Sequence, residues 1–272
     1  MTDKQSTAPM NLDAVKHRIM VFSGKGGVGK STLAVNLAYG LALLGKQVGL
    51  LDADLHGPSV ARLTGSEGAK IQSDGQGSYL PVRLHDNFSS FSIAYLLEDP
   101  DAALIWRGPL KIKALQDMIQ KTAWGELDYL IVDCPPGTGD EPLSVAQLLG
   151  RVDGALVVSS AQDLALLDVR KSLDFALKLD LPILGLVENM SWIECPHCGK
   201  TVDLFAGEGI ARTLHDFGID LLARLPFDPR IAQSSDQGRP FIYDFGKTET
   251  ARILQSLVQR IVDSLETSSG IN

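Results

Sequence analysis

Eight residues near the N-terminus constrain the fold more than any other part of this chain. They read Gly-Lys-Gly-Gly-Val-Gly-Lys-Ser from Gly24 to Ser31 and fit the pattern G-x-x-x-x-G-K-[ST]. An apolar segment at 18–23 predicts a strand before them, and a helix is predicted over about 29–44. A glycine-rich loop between a strand and a helix directs several backbone N–H groups at one point, which suits phosphate groups. The sequence therefore predicts a phosphate-binding loop.

The last two residues of this motif have separate predicted roles. Lys30 supplies a positive charge to the β- and γ-phosphate oxygens, and the Ser31 hydroxyl is a ligand for Mg²⁺. We therefore expect ATP and Mg²⁺ as ligands. The predicted nucleotide contacts cover the loop and the first helical turn, namely Gly24, Lys25, Gly26, Gly27, Val28, Gly29, Lys30, Ser31 and Thr32.

Short apolar segments recur along the rest of the chain, with helical stretches between most of them. Strands are predicted at 47–52, 91–95, 129–133, 154–159, 183–188 and 221–225. Segments this apolar are typical of a parallel sheet covered on both faces, in which ligands bind beyond the carboxyl ends of the strands. We predict an α/β fold with a mostly parallel central sheet and helices on both faces. It forms one domain over 18–267, with flexible segments at 1–17 and 268–272, a loop at 64–77 and a cysteine-containing insertion near 195–198.

Three carboxylates lie at or just after predicted strand ends. Asp52 and Asp54 belong to a Leu-Leu-Asp-Ala-Asp segment, and Asp133 closes an apolar strand. We expect Asp133 to hold Mg²⁺ through water. Of Asp52 and Asp54, one is expected to orient the attacking water and the other to sense the metal or Lys25. Alone, each could be a turn former at a strand end, but their coincidence with the phosphate loop favours a catalytic site.

The segment after Asp133 reads Cys-Pro-Pro-Gly-Thr-Gly-Asp, at 134–140. Its prolines are stiff and its glycines are flexible, which suits a switch loop that contacts the γ-phosphate through the Gly137 N–H. Cys134 is predicted to be a small buried residue and not a ligand.

A second cysteine motif, Cys-Pro-His-Cys-Gly, begins at Cys195. Its spacing allows Cys195 and Cys198 to bind one metal ion or one edge of a cluster. Such sites generally need four protein ligands, and the chain has only three cysteines. A twofold axis would bring the same pair from a second copy, so we expect a homodimer. The ligand set alone leaves a [4Fe–4S] cluster, zinc and, less favoured, a redox dithiol open.

Lys25 is unusual because Lys30 already supplies a cation to the phosphates. The string Lys-Gly-Gly-Val-Gly-Lys-Ser resembles the deviant Walker A family of P-loop ATPases, which includes MinD, ParA, the nitrogenase iron protein and Mrp-type carriers. The resemblance implies that Lys25 reaches across a nucleotide-sandwich dimer to the other subunit's phosphates, as an arginine finger does. It also implies that Asn189 reads the adenine edge, with Pro226 and Asp228 beside the base. Those last two residues could equally be a turn and its cap.

Several motifs taken together resemble the Mrp/ApbC group, over about 19–261. They are the phosphate loop with its second lysine, D-A-D, D-C-P-P-G-T-G-D-E, E-N-M, C-P-H-C-G and D-Q-G-R-P at 236–240. The resemblance implies an ATP-dependent carrier that holds a [4Fe–4S] cluster between two subunits and passes it to apo-proteins. ATP hydrolysis would then be slow, with the switch at 133–140 communicating with the cysteines.

Charge and hydropathy argue against two kinds of partner. A formal net charge of -8 and a pI near 5.1 disfavour broad binding to nucleic acid. No apolar run is long enough to span a membrane, and the polar residues 1–13 do not predict a signal peptide. We expect a cytoplasmic protein with neither nucleic acid nor membrane as a partner.

A C-terminal helix with mixed charges is predicted to pack on the core through Ile253, Leu254, Leu257, Val258, Ile261, Val262 and Leu265.

Two rival functions share all the nucleotide motifs. One is a MinD- or ParA-like positioning ATPase, and the other is a protein-targeting ATPase whose dimer is clasped by zinc. A positioning ATPase has no need of the C-x-x-C pair, so the cysteines favour the carrier. Between the carrier and the zinc-clasped ATPase, the sequence does not decide.

Overall fold

The computed structural model describes residues 12–97, 108–160, 163–204 and 209–269. The strands in these ranges are β1 (Val15–Phe22), β2 (Val48–Asp52), β3 (Gln72–Ser73), β4 (Tyr79–Leu80), β5 (Val82–His85), β6 (Phe88–Ser92), β7 (Leu127–Asp133), β8 (Gly154–Ser160), β9 (Ile183–Asn189), β10 (Trp192–Glu194), β11 (Thr201–Asp203) and β12 (Leu221–Arg224). The helices are α1 (Lys30–Leu43), α2 (Val60–Leu63), α3 (Gly108–Lys121), α4 (Asp140–Leu149), α5 (Asp163–Lys178), α6 (Gly209–Phe217), α7 (Pro229–Asp236), α8 (Phe241–Asp244) and α9 (Glu249–Ser269).

The central sheet has eight strands in the order β12-β9-β8-β1-β7-β2-β6-β5. Its neighbouring strands are parallel except for β5, which runs antiparallel to β6 at one edge. The prediction of a mostly parallel sheet with helices on both faces is confirmed. Parallel strands bring their carboxyl ends to one edge, and this edge carries the phosphate loop.

The core lies in two layers, one on each face of the sheet. Alternate residues of β1 enter different layers, because successive side chains of a strand point to opposite faces. One layer packs α1 against α9 through residues such as Leu37, Leu257 and Ile261. The two helices approach closely at Gly40, where a Cβ atom would lie 2.5 Å from Cγ2 of Val258. The predicted packing of the C-terminal helix is confirmed.

One predicted strand is displaced along the chain. The segment 91–95 was expected to be extended, but the strand is Phe88–Ser92 and a 3₁₀ turn, Ile93–Leu96, follows it. Serine side chains made this segment look too polar for a buried strand. They are buried because they are hydrogen-bonded: the Ser90 hydroxyl bonds that of Tyr95 at 2.6 Å. Satisfied hydroxyl groups can lie in a core at little cost.

Other differences concern the edges of elements. Strand β1 begins at Val15, inside the segment 1–17 predicted as flexible, whose residues 1–11 lie outside the described ranges. Helix α9 extends to Ser269, past the predicted boundary at 267. Strand β3 lies within the predicted loop 64–77 and pairs with β4. None of the helices in the described ranges combines the length and the apolar composition that a membrane crossing requires.

Candidate functional site

Three neighbouring strands end at the phosphate loop. Strand β7 lies between β1 and β2, and Asp133 at its end pairs in register with Asp52 of β2 and Val21 of β1. The loop leaves β1 at this point and continues into α1. Its cavity of about 260 Å³ is lined by Ser23, Lys25, Gly26, Gly27, Gly29, Lys30, Ser31, Thr32, Asp54, Ser59, Leu63 and Pro136. The structure therefore brings together the loop, Asp54 and the start of the predicted switch.

Two loop positions require glycine for different reasons. At Gly24 a Cβ atom would lie 2.4 Å from the carbonyl oxygen of Asp168 in α5, so there is no space for a side chain. Gly29 precedes α1 with φ at 85°, a left-handed conformation that strains other residues. A Cβ atom at Gly29 would also lie 2.2 Å from Nδ2 of Asn189. The loop is thus held between α5 and the end of β9.

Lys30 and Asp133 form a buried ion pair at the bottom of this cavity. The Lys30 Nζ atom donates to Oδ1 of Asp133 at 2.5 Å and to Oγ of Ser31 at 3.2 Å. Burial lowers the pKa of Lys30, but the charge and hydrogen bond of Asp133 more than offset that effect and raise it. Burial also raises the pKa of Asp133. The buried Oδ2 atom of Asp133 has no hydrogen-bond partner among the described residues.

This donor set fits the predicted Mg²⁺. Asp133 has a buried carboxylate oxygen without a partner in the described part of the chain, and its other oxygen shares the Lys30 ammonium group with the Ser31 hydroxyl. Hard oxygen ligands of this kind are those that Mg²⁺ prefers. Lys30, which pairs with Asp133, is also the residue predicted to contact the phosphates.

Asp52 has a different environment from the one its sequence position suggests. Its carboxylate is fully buried, and Oδ2 accepts hydrogen bonds from the backbone N–H groups of Ser59 and Val60, at 3.0 and 3.1 Å, and from the Ser92 hydroxyl at 3.0 Å. Burial first, and then the negative charge of Asp133, raise the pKa of Asp52 to about 7. Asp52 therefore fixes the start of α2 to the sheet.

Asp54 is the carboxylate that lines the cavity. Its Oδ1 atom accepts hydrogen bonds from the backbone N–H groups of His56 and Gly57, at 3.2 and 3.1 Å, which order the turn after β2. Asp52 is not among the residues that line the cavity. Of the two carboxylates, the geometry favours Asp54 as the one that can reach a water molecule there.

The predicted switch is hydrogen-bonded to the phosphate loop in this structure. The Gly137 N–H donates to the carbonyl oxygen of Ser23 at 2.8 Å, so contact with a γ-phosphate requires exchange of that bond. Cys134 is fully buried, burial raises the pKa of its thiol, and its Sγ atom lies 3.7 Å from the carbonyl oxygen of Val132. The prediction that Cys134 is buried is confirmed.

A charged cluster behind the switch was not predicted. Oε1 of Glu141, in α4, lies 3.1 Å from Nζ of Lys111 and 3.2 Å from Nε2 of His56, and Lys111 and His56 also contact each other. These residues are far apart in the sequence, so no local pattern indicates their contact. They link the turn after β2 to the helix that follows the switch.

The residues predicted at the adenine base divide into two groups. The Asn189 side chain donates from Nδ2 to the carbonyl oxygen of Val28 at 2.9 Å, so it lies on the phosphate loop. Asp228 is the N-cap of α7: it accepts from the backbone N–H of Arg230 at 3.0 Å and from the Thr250 hydroxyl at 2.8 Å. Burial raises the pKa of Asp228, but these hydrogen bonds and the Arg230 charge hold it below its usual range. The structure therefore shows the helix cap that the sequence left as an alternative role for Asp228.

Pro226 and Asp228 line a second cavity of about 340 Å³ and not the phosphate cavity. This second cavity lies beside the cysteine motif, because Trp192 and Pro196 line it too. Contact of Pro226 and Asp228 with a base therefore stays a prediction.

Cys195 and Cys198 lie on a β-hairpin, which was not predicted from the sequence. Strands β10 and β11 pair antiparallel, the Cys195 N–H donates to the Lys200 carbonyl, and the Gly199 N–H donates to the Cys195 carbonyl, both at 2.9 Å. Cys195 is half-buried and Cys198 is exposed. Hydrogen bonds from the backbone N–H of His197, and then from Cys198, lower the pKa of Cys195. A lowered pKa favours the thiolate, which is the form of cysteine that binds metals.

The surroundings of Cys195 and Cys198 bear on the predicted metal site. No group of three or more His, Cys, Asp or Glu side chains within the described ranges is placed to hold a metal ion. A four-ligand site at Cys195 and Cys198 would therefore need further ligands from elsewhere, and their supply by a second copy stays a prediction.

Comparison with known proteins agrees with this architecture. Residues 14–262 match the ParA family model, described as the NUBPL iron-transfer P-loop NTPase. The iron-sulfur cluster carrier protein of Methanocaldococcus jannaschii is 41% identical over 256 residues, which cover 94% of this chain and 87% of that protein. The human cytosolic Fe-S cluster assembly factor NUBP2 is 41% identical over 260 residues, with 94% and 96% coverage.

Solved structures show the same fold. A nucleotide-binding protein from Archaeoglobus fulgidus in complex with ADP has a TM-score of 0.74 and 37% identity, covering 89% of this chain and 96% of its own. The cell division ATPase MinD of Pyrococcus furiosus has a TM-score of 0.67 and 22% identity, covering 92% and 99%. With a family match over most of its length, the chain belongs to the ParA family of NUBPL-type iron-transfer P-loop NTPases.

Proposed function

We propose that the chain is an ATP-hydrolysing carrier that assembles or transfers a [4Fe–4S] cluster, held between two copies of the chain, to apo-proteins in the cytoplasm. The observation that supports this most is the position of the cysteine hairpin. Asn189, whose side chain contacts the phosphate loop, ends β9, and the hairpin bearing Cys195 begins almost directly after it. A two-thiolate site therefore lies one short segment from a nucleotide site.

Nucleotide chemistry in this proposal depends on the buried charges. Ser31 and Asp133 hold Mg²⁺, which neutralises phosphate charge when it is bound. Lys30 exchanges its bond with Asp133 for the phosphate oxygens, and Asp54 orients the attacking water. Lys25 of one copy stabilises the charge that develops on the phosphates of the other, and Asn189 contacts the adenine.

The cluster is the cargo, and each copy supplies Cys195 and Cys198. Four thiolates from two chains satisfy the usual ligand count of a [4Fe–4S] cluster. Zinc uses the same ligands, and the names of the relatives favour iron: both the archaeal carrier and human NUBP2 are named for Fe–S clusters. The clients are apo iron–sulfur proteins, and human NUBP2 is named as cytosolic, which supports the compartment.

The test is anaerobic reconstitution with iron and sulfide, followed by assay of iron, zinc and acid-labile sulfide per chain. We expect about four irons and four sulfides per dimer. The double variant Cys195→Ala/Cys198→Ala should lose them while it still binds ATP. Cys134→Ala is the matched control, because this third cysteine is buried directly after β7 and should not alter the iron content.

Zinc alone in the wild type, or no metal together with normal ATP hydrolysis, would contradict the carrier proposal. The first result would favour a protein-targeting ATPase with a zinc-clasped dimer. The second would favour a positioning ATPase like MinD or ParA.

A further inference from the structure

Backbone hydrogen bonds attach the cysteine hairpin to the end of the sheet at β9 and β12. After Asn189 the chain turns at Met190, whose φ of 54° is in the left-handed region. The Ser191 N–H donates to the Leu225 carbonyl at 2.9 Å, and the Leu204 N–H donates to the Ser191 carbonyl at 3.0 Å. These bonds place the base of the hairpin directly on the ends of β9 and β12.

Arg224, at the end of β12, forms ion pairs with both β9 and the cysteine hairpin. Its Nε atom lies 3.1 Å from Oε2 of Glu188 in β9, and its Nη2 atom lies 3.0 Å from Oδ1 of Asp203 in the hairpin. The Glu188 side chain is only 8% exposed, so this ion pair is largely shielded from solvent on the Glu188 side. A partly buried ion pair of this kind is costly to break on one side, because the remaining carboxylate would be left buried and unpaired.

The residue next to Glu188 contacts the phosphate loop. Asn189 directly follows Glu188, and its amide donates to the Val28 carbonyl in the phosphate loop. A shift of Asn189 when the loop binds nucleotide therefore moves the end of β9 together with Glu188. Because Arg224 holds Glu188 and Asp203 at once, that movement reaches the strand β11.

We propose that Arg224 is a positioning residue that couples nucleotide occupancy of the phosphate loop to the conformation of the Cys195–Cys198 hairpin. The inference deepens the proposed function, because it gives the cargo site a route to the nucleotide site that does not pass through the switch at 134–140. Coupling between two sites is reciprocal, so a ligand on the cysteines would in turn change nucleotide affinity.

The test uses hydrogen–deuterium exchange of the hairpin backbone, 192–203, in the full chain with and without MgADP. In the wild type we expect MgADP to change hairpin exchange by about fivefold or more. Asp203→Ala removes the acceptor for Arg224 in the hairpin and leaves Glu188 paired, and Arg224→Gln removes both ion pairs. Both variants should bind MgADP but lose the nucleotide-dependent difference, and Arg224→Lys should restore part of it.

Arg170→Gln is the matched control. The Arg170 side chain is as exposed as that of Arg224, 47% against 46%. Its Nη1 atom lies 2.7 Å from Oδ2 of Asp216, and neither residue belongs to the hairpin. This variant should keep the wild-type response. The proposal is overturned if the wild-type hairpin does not respond to MgADP, or if either Asp203→Ala or Arg224→Gln keeps the full wild-type response. No iron is needed, so a failure of the cluster-carrier proposal would be seen separately in the reconstitution assay.

Discussion

At the scale of single residues, the site contains two buried carboxylates that differ in their partners. Asp52 and Asp133 are neighbours across the sheet, and Lys30 pairs directly with Asp133. Asp52 is left with backbone and hydroxyl donors, which lower the cost of its charge but do not neutralise it. Burial and repulsion therefore favour its neutral form.

This environment predicts a pH dependence of stability in the nucleotide-free protein with EDTA present. The pKa of Asp52 rises from 3.8 in the unfolded chain to about 7 in the fold. Between those pH values the folded state holds a proton that the unfolded state has released, so the free energy of unfolding falls as pH increases. The contribution is fully present below the unfolded pKa and is lost as the pH reaches the folded one. The slope is up to about 1.4 kcal/mol per pH unit.

Asp52→Asn cannot titrate, so its free energy of unfolding should fall less steeply than that of the wild type between about pH 5 and pH 7. Urea denaturation across this range measures the difference in slope. Asp117→Asn is the control: burial raises the pKa of Asp117, but hydrogen bonds from Lys113 and Lys121 lower it overall, so it is already ionised throughout the range. Equal slopes for wild type and Asp52→Asn would show that Asp52 is ionised in the folded protein.

At the scale of elements, the sequence predicted best where a pattern is local. The phosphate loop, the buried parallel strands and α9 follow from apolar spacing and glycine positions along one segment. The strand Phe88–Ser92 was misplaced because it contains serines, one of which, Ser92, is buried through a hydrogen bond to Asp52 on the neighbouring strand. Contacts such as Arg224 with Glu188 and Asp203, or Gly137 with Ser23, join separate segments and have no signature along the chain.

The loop between β1 and α1 allows a comparison of two glycines. Gly29→Ala combines a positive φ with a Cβ position 2.2 Å from Asn189 Nδ2, so the nucleotide-free protein should lose at least about 1 kcal/mol of stability. Gly26→Ala meets no atom within 4 Å and has no left-handed φ, so it should unfold within about 0.5 kcal/mol of the wild type. Thermal or urea denaturation without nucleotide measures both. A Gly29→Ala variant as stable as Gly26→Ala would mean that the loop relaxes freely away from β9.

At the scale of the whole molecule, two of the predicted sites would take residues from a second copy of the chain. One chain offers two thiolates where a metal or cluster generally needs four ligands. Its phosphate cavity is lined by Lys25 as well as Lys30, and the family resemblance assigns Lys25 to the other subunit's nucleotide. An isologous dimer would complete both sites with one symmetry operation, because each surface that receives a residue also supplies it.

Lys25 acting between subunits predicts complementation between two inactive variants. Lys25→Ala should bind ATP but hydrolyse it slowly, and Asp54→Ala should do the same for lack of the residue that orients water. In a mixed dimer the Lys25→Ala subunit keeps its own Asp54 and receives Lys25 from its partner, so one of the two sites is complete. With random pairing of equal amounts, turnover per chain should recover to about a quarter of the wild-type value. The measurement is the ATPase rate of the mixture against each variant alone, with subunits mixed before nucleotide is added. If Lys25 instead serves its own subunit's phosphates, each site of a mixed dimer lacks one of the two residues: Lys25 is missing from one site and Asp54 from the other. The mixture would then stay at the rate of the separate variants.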